Sequence, residues 1–135
     1  MGQLDFLQND LRALEKHKGQ AIIISHITPD DGCNHEYAVR LRAILERYQN
    51  VIRLNLLGHT HLDYFKVAMS YLRPYAPVGV LNVCGSVTTW TGNPSFCVYE
   101  VDKKTLLPVK RTTYAFDMAQ ANAFGTIEWS VYTDY

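Results

Sequence analysis

With 135 residues, 47% of them hydrophobic, the chain is one domain's worth of sequence and can fill a core. Thirteen basic and thirteen acidic side chains cancel, which argues against nucleic acid or an acidic membrane surface as a partner. No apolar run approaches the ~20 residues of a membrane span, and Met1–Asp5 lacks the basic-then-apolar order of a signal peptide.

Leu4, Leu7, Leu11 and Leu14 recur at three- and four-residue steps, with Asp10, Arg12, Glu15 and Lys16 on other faces. This predicts an amphipathic helix that ends at Gly19 and covers a sheet. Residues 20–25 read as a strand whose isoleucines suit burial on both faces. The loop Thr28-Pro29-Asp30-Asp31-Gly32 follows. Asp30 and Asp31 either touch a metal or a substrate hydroxyl or, as such pairs more often do, cap a turn and face water. Asn34 suits a helix cap. Behind it Tyr37, Leu41, Ile44, Leu45 and Tyr48 form an apolar stripe, with Glu36 and Arg40 paired four residues apart.

Val51 to Leu57 is a second strand, so the order strand–helix–strand predicts two parallel strands joined by a crossover. Beyond it the period changes to two: Phe65, Val67 and Met69 alternate with Lys66 and Ser70, and Pro74 and Pro77 frame a turn. Val78–Val83, Phe96–Val101 and Leu106–Phe116 read as further strands, the last two joined by the hairpin Asp102-Lys103-Lys104-Thr105. Asp117–Asn122 suits a short helix, followed by an aromatic tail through Trp129, Tyr132 and Tyr135. The fold class is therefore α/β, a βαβ unit followed by antiparallel strands. Cys33, Cys84 and Cys97 show no metal-ligand spacing. Cys84 and Cys97 lie in apolar strand-like runs and read as buried small hydrophobes.

The chemistry-bearing residues sit where the two parallel strands end. The first strand runs into Ser25-His26, the second into Gly58-His59-Thr60-His61. In extended backbone residues two apart share a face, which puts His59 and His61 on one side. Parallel strands bring their C-terminal ends to one edge, where open α/β sheets place their ligands. His26, His59 and His61 are thus expected to converge as metal ligands. Asp63, two residues further on, either accepts from a metal-bound imidazole or serves the start of the next strand.

These stretches resemble the calcineurin-like metallophosphoesterases, and within them the acid sphingomyelinase-like phosphodiesterase branch. The resemblance rests on Ile23-Ile24-Ser25-His26-Ile27-Thr28-Pro29, on Gly58-His59-Thr60-His61-Leu62-Asp63-Tyr64-Phe65, and on Asn93-Pro94-Ser95-Phe96. Gly2–Leu7, Arg47–Asn50 and Val87–Trp90 extend it, and it covers the C-terminal half of that domain. It implies part of a four-layer α/β/β/α sandwich, residues 1–135 forming one half of a single domain. It further implies a dinuclear divalent metal site, most often zinc, with manganese or iron as other occupants. His26 and His59 would hold one metal and His61 the other, with Asp63, Asp30 and Asp31 behind the ligands or along the substrate loop. The implied reaction is hydrolysis of a phosphodiester, a small molecule or a lipid headgroup of the sphingomyelin kind. Secretion or a lysosomal location is implied if the full-length protein carries a signal sequence.

The family's Asp-x-His, Gly-Asp-x-x-Asp and Gly-Asn-His-Glu/Asp motifs have no counterpart in the proper order, since Asn34-His35-Glu36 follows His26 when it should precede it. The chain alone is thus expected to hold at most one metal and to need the N-terminal half of the domain as partner. Two readings follow: part of a phosphodiester hydrolase, or a truncated non-catalytic relative acting as a binding or regulatory module. Half a sandwich is also expected to self-associate through its uncovered sheet.

Overall fold

The leucine repeat near the N-terminus builds α1 (Gln3–Lys16), with Leu11 fully buried. The computed structural model describes residues 2–30, 32–88, 90 and 92–135. The Asp5 carboxylate accepts from the Gly2 amide at 3.1 Å and closes the first turn of α1. At the other end Lys18, not Gly19, takes the left-handed conformation, at φ 55°. Then come β1 (Ala21–Ile24), α2 (His35–Arg47) and β2 (Ile52–Leu57), and β1 pairs with β2 in parallel as expected. Asn34 caps α2 by accepting from the Glu36 amide at 3.1 Å, and Glu36 pairs with Arg40.

β4 (Pro77–Val83) adds to β2 in parallel, and β3 (Tyr64–Met69) pairs antiparallel with β4 at the far edge. The mixed sheet therefore runs β1-β2-β4-β3. A separate antiparallel sheet holds β5 (Ser95–Val101), β6 (Pro108–Ala115) and β7 (Ser130–Asp134). The turn between β5 and β6 is fixed by Asp102, whose carboxylate accepts from the amides of Lys104 and Thr105 and from the Thr105 hydroxyl. The short helix α3 (Met118–Phe124) is capped by Asp117 and ended by the left-handed Gly125.

Two apolar clusters hold this arrangement. Leu11, Ile44, Tyr48 and Val51 join α1 and α2 to the edge of the mixed sheet. Leu57, Leu81 and Val83 form a second cluster, against which Leu45 of α2 packs. α2 is pinned at a further point by Glu46, which accepts from the Ser70 hydroxyl and from the Tyr71 amide. Those bonds, the Ser70 one first, hold its carboxyl below the ordinary glutamate value. No helix among the described residues is long and apolar enough to cross a membrane.

Several sequence expectations are corrected. β1 is an edge strand, so its isoleucines are not buried on both faces, and Ile24 is 79% exposed. Tyr37 leaves the stripe of α2 and faces solvent, while Ala38 takes the buried position. On β3 the alternation, whose direction the sequence left open, turns Phe65, Val67 and Met69 outward and packs Tyr64 and Ala68 inward. The alternation was legible but not its direction. Leu106 belongs to the hairpin turn, with φ 53°, and β6 begins at Pro108. The aromatic tail contains a strand, β7, whose Val131 lies opposite Tyr114. Trp129 just before it meets Phe96 and Phe116 edge-on.

Cys84 and Cys97 are not free hydrophobes but a disulfide. The exit of β4 and the middle of β5 bring their Cα atoms to 6.0 Å, a spacing that a disulfide spans. The bond therefore ties the two sheets together. Beside it Arg111 of β6 donates to the Asp63 carboxylate and, at 3.2 Å, to the Val83 carbonyl of the mixed sheet. Thr113 completes the link by donating to Asp63 Oδ2 at 2.7 Å. The Arg111 guanidinium also lies 5.6 Å from the Tyr99 ring and 5.9 Å from the Tyr135 ring.

Two outcomes follow from this link. Asp63→Ala leaves the buried Arg111 cation without its counter-charge and should cost about 3–5 kcal/mol in urea unfolding. Adding Arg111→Met to that variant should recover most of the loss, read as a positive coupling in a double-mutant cycle. Separately, burial pushes the Tyr99 phenol from 10.0 up to about 12. Its proton is held more tightly in the folded chain than in the unfolded one, so stability should fall as pH rises from 10 towards 12. Ultraviolet titration should show one late tyrosine step that Tyr99→Phe removes.

Candidate metal centre

The parallel register of β1 and β2 continues past both strands. Ile24 lies opposite Leu56, Ser25 N donates to Leu56 O at 3.0 Å, and Gly58 N donates to His26 O at 2.8 Å. The two exits thus stay side by side through His26, two residues beyond β1, and Gly58, one beyond β2, so that His26 and His59 stand next to each other where the pairing ends. His26 Nε2 and His59 Nδ1 stand 3.2 Å apart, their rings edge-to-face with centroids at 5.1 Å. Both residues are exposed.

Two nitrogens at that distance can share either a proton or a cation. Bonds of about 2.0–2.1 Å from one divalent ion to both would subtend an angle of roughly 100°, close to tetrahedral. The pair therefore fits one metal by separation and by donor type. A loop residue closes over it: Gly32, at φ 77°, has no Cβ where one would stand 3.2 Å from His59 Nε2. A side chain there would meet both backbone strain and the imidazole.

His61 goes elsewhere. His59 and His61 both have positive φ, 80° and 61°, so the two-residue alternation of extended backbone does not apply to them. His61 Nδ1 lies 3.1 Å from Thr88 Oγ1, and its ring meets Trp90 edge-on with centroids at 6.0 Å. Its Nε2 has no hydrogen-bond partner among the described residues. A cleft of about 210 Å³ opens beside it, with Asn93, Ser95, Thr113 and Tyr132 in its walls. Among the described residues, no group of three or more His, Cys, Asp or Glu side chains is placed to hold a metal ion. The structure thus brings His26 and His59 together, while the neighbours of His61 are Thr88 and Trp90.

The carboxylates have their own partners. Asp63 is bound by Arg111 and Thr113 at the junction of the sheets, which is the strand-start alternative. Asp30 pairs with Arg42 of α2 at 3.1 Å, neither capping its own turn nor reaching the histidines. Asp31 lies outside the described residues. Sequence reasoning missed Thr88 and Trp90 as the setting of His61, although both belong to a stretch it had singled out. It also missed Gly32, whose only signal was a glycine closing a turn-rich loop.

No profile of a known protein family matches the chain. Individual proteins do. A sphingomyelin phosphodiesterase from Homo sapiens is 32% identical over 131 residues, covering 93% of this chain and 21% of that protein. The sphingomyelin phosphodiesterase of Bos taurus is 32% identical over 134 residues, covering 95% and 21%. The acid sphingomyelinase-like phosphodiesterase 3b of Homo sapiens is 26% identical over 151 residues, covering 96% and 32%. The chain spans about a fifth of the length of the first two. Nearly its whole extent takes part in these matches, so the chain is a homologue of the sphingomyelin phosphodiesterases and acid sphingomyelinase-like phosphodiesterases over that portion of their length.

Proposed function

We propose that this chain supplies part of the metal centre of a phosphodiester hydrolase, and that residues 1–135 are one half of a four-layer α/β/β/α domain. The observation that carries the reading is the 3.2 Å approach of His26 Nε2 to His59 Nδ1 at the carboxyl edge of two parallel strands. Homology to sphingomyelin phosphodiesterases supports the reaction class, a phosphodiester of a small molecule or a lipid headgroup.

In this reading His26 and His59 hold one divalent ion, zinc first among the choices, and His61 contributes to a second. Metal bound there would supply Lewis acidity towards a phosphate oxygen and a water of lowered pKa. The chain's own residues do the positioning. The Gly58–His26 backbone bond holds the two exits at fixed distance. Thr88 takes one nitrogen of His61 and leaves Nε2 as the donor. Gly32 keeps the loop clear of His59. Among the described residues Asp30 and Asp63 are already engaged, so a carboxylate ligand for the metal would come from elsewhere in the protein. The outward stripe of Phe65, Val67 and Met69 is a surface for that part, or a second copy, to cover.

The test is to assay the purified chain with zinc, manganese and cobalt on a chromogenic phosphodiester while counting bound metal. At most one weakly held ion and no turnover is expected, with turnover restored by the remainder of the domain. Two ions with turnover abolished by His61→Ala would show the site complete within this chain. Metal binding with no turnover even in the longer protein would leave the binding-module reading. His59→Ala should lower metal affinity with little change in melting, because the side chain is exposed. Leu54→Ala, at 3% exposure, should do the reverse and cost roughly 2–5 kcal/mol. Equal melting losses for both, without metal, would count against the assignment.

A further inference from the structure

Two clefts, of about 340 Å³ and about 560 Å³, run along α2. Leu45, Pro29, Asn55 and Leu81 line both, so the two meet beneath the helix. The walls are mainly aliphatic, with Leu41 and Ile23 in the larger void and Ala68 and Val80 in the smaller. No histidine lines either, which separates this space from the His26–His59 edge.

Two polar atoms in these walls lack partners. Asn55 is 7% exposed and its Oδ1 is buried without a hydrogen bond. Its amide orientation is fixed, because Nδ2 donates to Val80 O at 3.1 Å, so a donor is missing and not misassigned. Two residues earlier on the same face of β2, Arg53 Nε is also buried and unbonded. No carboxylate among the described residues pairs with Arg53, whereas Arg42 in the same wall has Asp30. Buried polar atoms are rarely left in this state. One strand face thus presents a guanidinium with a buried, unbonded Nε and, one step along, an acceptor seeking a donor, above an aliphatic trough.

We propose that the space beneath α2 binds a small anionic amphiphile. Its acid group meets Arg53, a neighbouring N–H or O–H donates to Asn55 Oδ1, and its alkyl chain lies under Leu45 towards Leu41. The volume suits a ligand of that size. N-acylated amino acids carry this sequence of groups: carboxylate, amide N–H, alkyl chain. The inference does not depend on the hydrolase reading.

The probe is N-dodecanoylglycine, titrated into the oxidised 135-residue chain below its micelle concentration and followed by calorimetry. One saturable site is expected. Dodecanoate, which lacks the N–H, should bind several-fold more weakly, and the methyl ester of the probe about tenfold more weakly. Arg53→Met keeps the stem and removes the charge, and should weaken the probe by roughly tenfold or more. Asn55→Leu should abolish the preference for the probe over dodecanoate. Should that variant misfold, intermolecular nuclear Overhauser contacts on the wild type decide: they should fall on the methyls of Leu45 and Ala68. Absence of saturable binding, indifference to Arg53→Met, or contacts confined to Phe65 and Val67 would each overturn the proposal. In the first case ordered water satisfies the two atoms.

Discussion

The hydrogen bond from Gly58 N to His26 O governs the site. It extends the parallel ladder two residues past β1 and one past β2, at 2.8 Å, and holds the chain beside His26 where His59 follows. Without it the exits of β1 and β2 would be two independent loops, and a 3.2 Å approach of two imidazoles would need some other restraint. A parallel pair is suited to this because both chains leave the sheet in the same direction. The strands themselves are ordinary: aliphatic, short, and backed by Leu11, Ile44 and Val51. What they contribute to function is the distance between their ends.

The second sheet is held to the first by few but strong links. Arg111 reaches across to a carboxylate and a main-chain carbonyl, and the Cys84–Cys97 bond stands beside it. The segment between those cysteines carries Thr88 and Trp90, the neighbours of His61, and Gly85, where a Cβ would collide with Ser95 Oγ. The setting of His61 is therefore coupled to the inter-sheet junction, whereas the His26–His59 pair depends on the mixed sheet alone.

The βαβ unit was legible in the sequence because hydrophobic period, helix cap and strand length all agreed. Asn34 and the Glu36–Arg40 pair took the places their spacing assigned. The direction in which faces point was not legible. Phe65, Val67 and Met69 alternate as a buried strand would, and only the pairing of β3 at an edge, with Tyr64 and Ala68 inward, turns them out. The same limit applies at the site. The meeting of His26 and His59 follows from strand order, which sequence supplies. The course of His61 follows from two left-handed residues, and although histidine enters that region more readily than most side chains, its presence alone does not mark the turn. The disulfide was missed for a further reason: two cysteines thirteen apart become neighbours only once a loop returns β5 against the end of β4.

That disulfide bears on how the protein must be made and handled. Cys33 is a free thiol, and the usual precaution for a free thiol is a reductant throughout purification. Here the same reagent would open the one covalent bridge among the described residues, and cytosolic expression would leave it unformed from the start. A preparation faithful to this structure needs an oxidising host, with Cys33 changed to serine in place of protection by reductant. Otherwise two laboratories working on one sequence would be measuring two molecules.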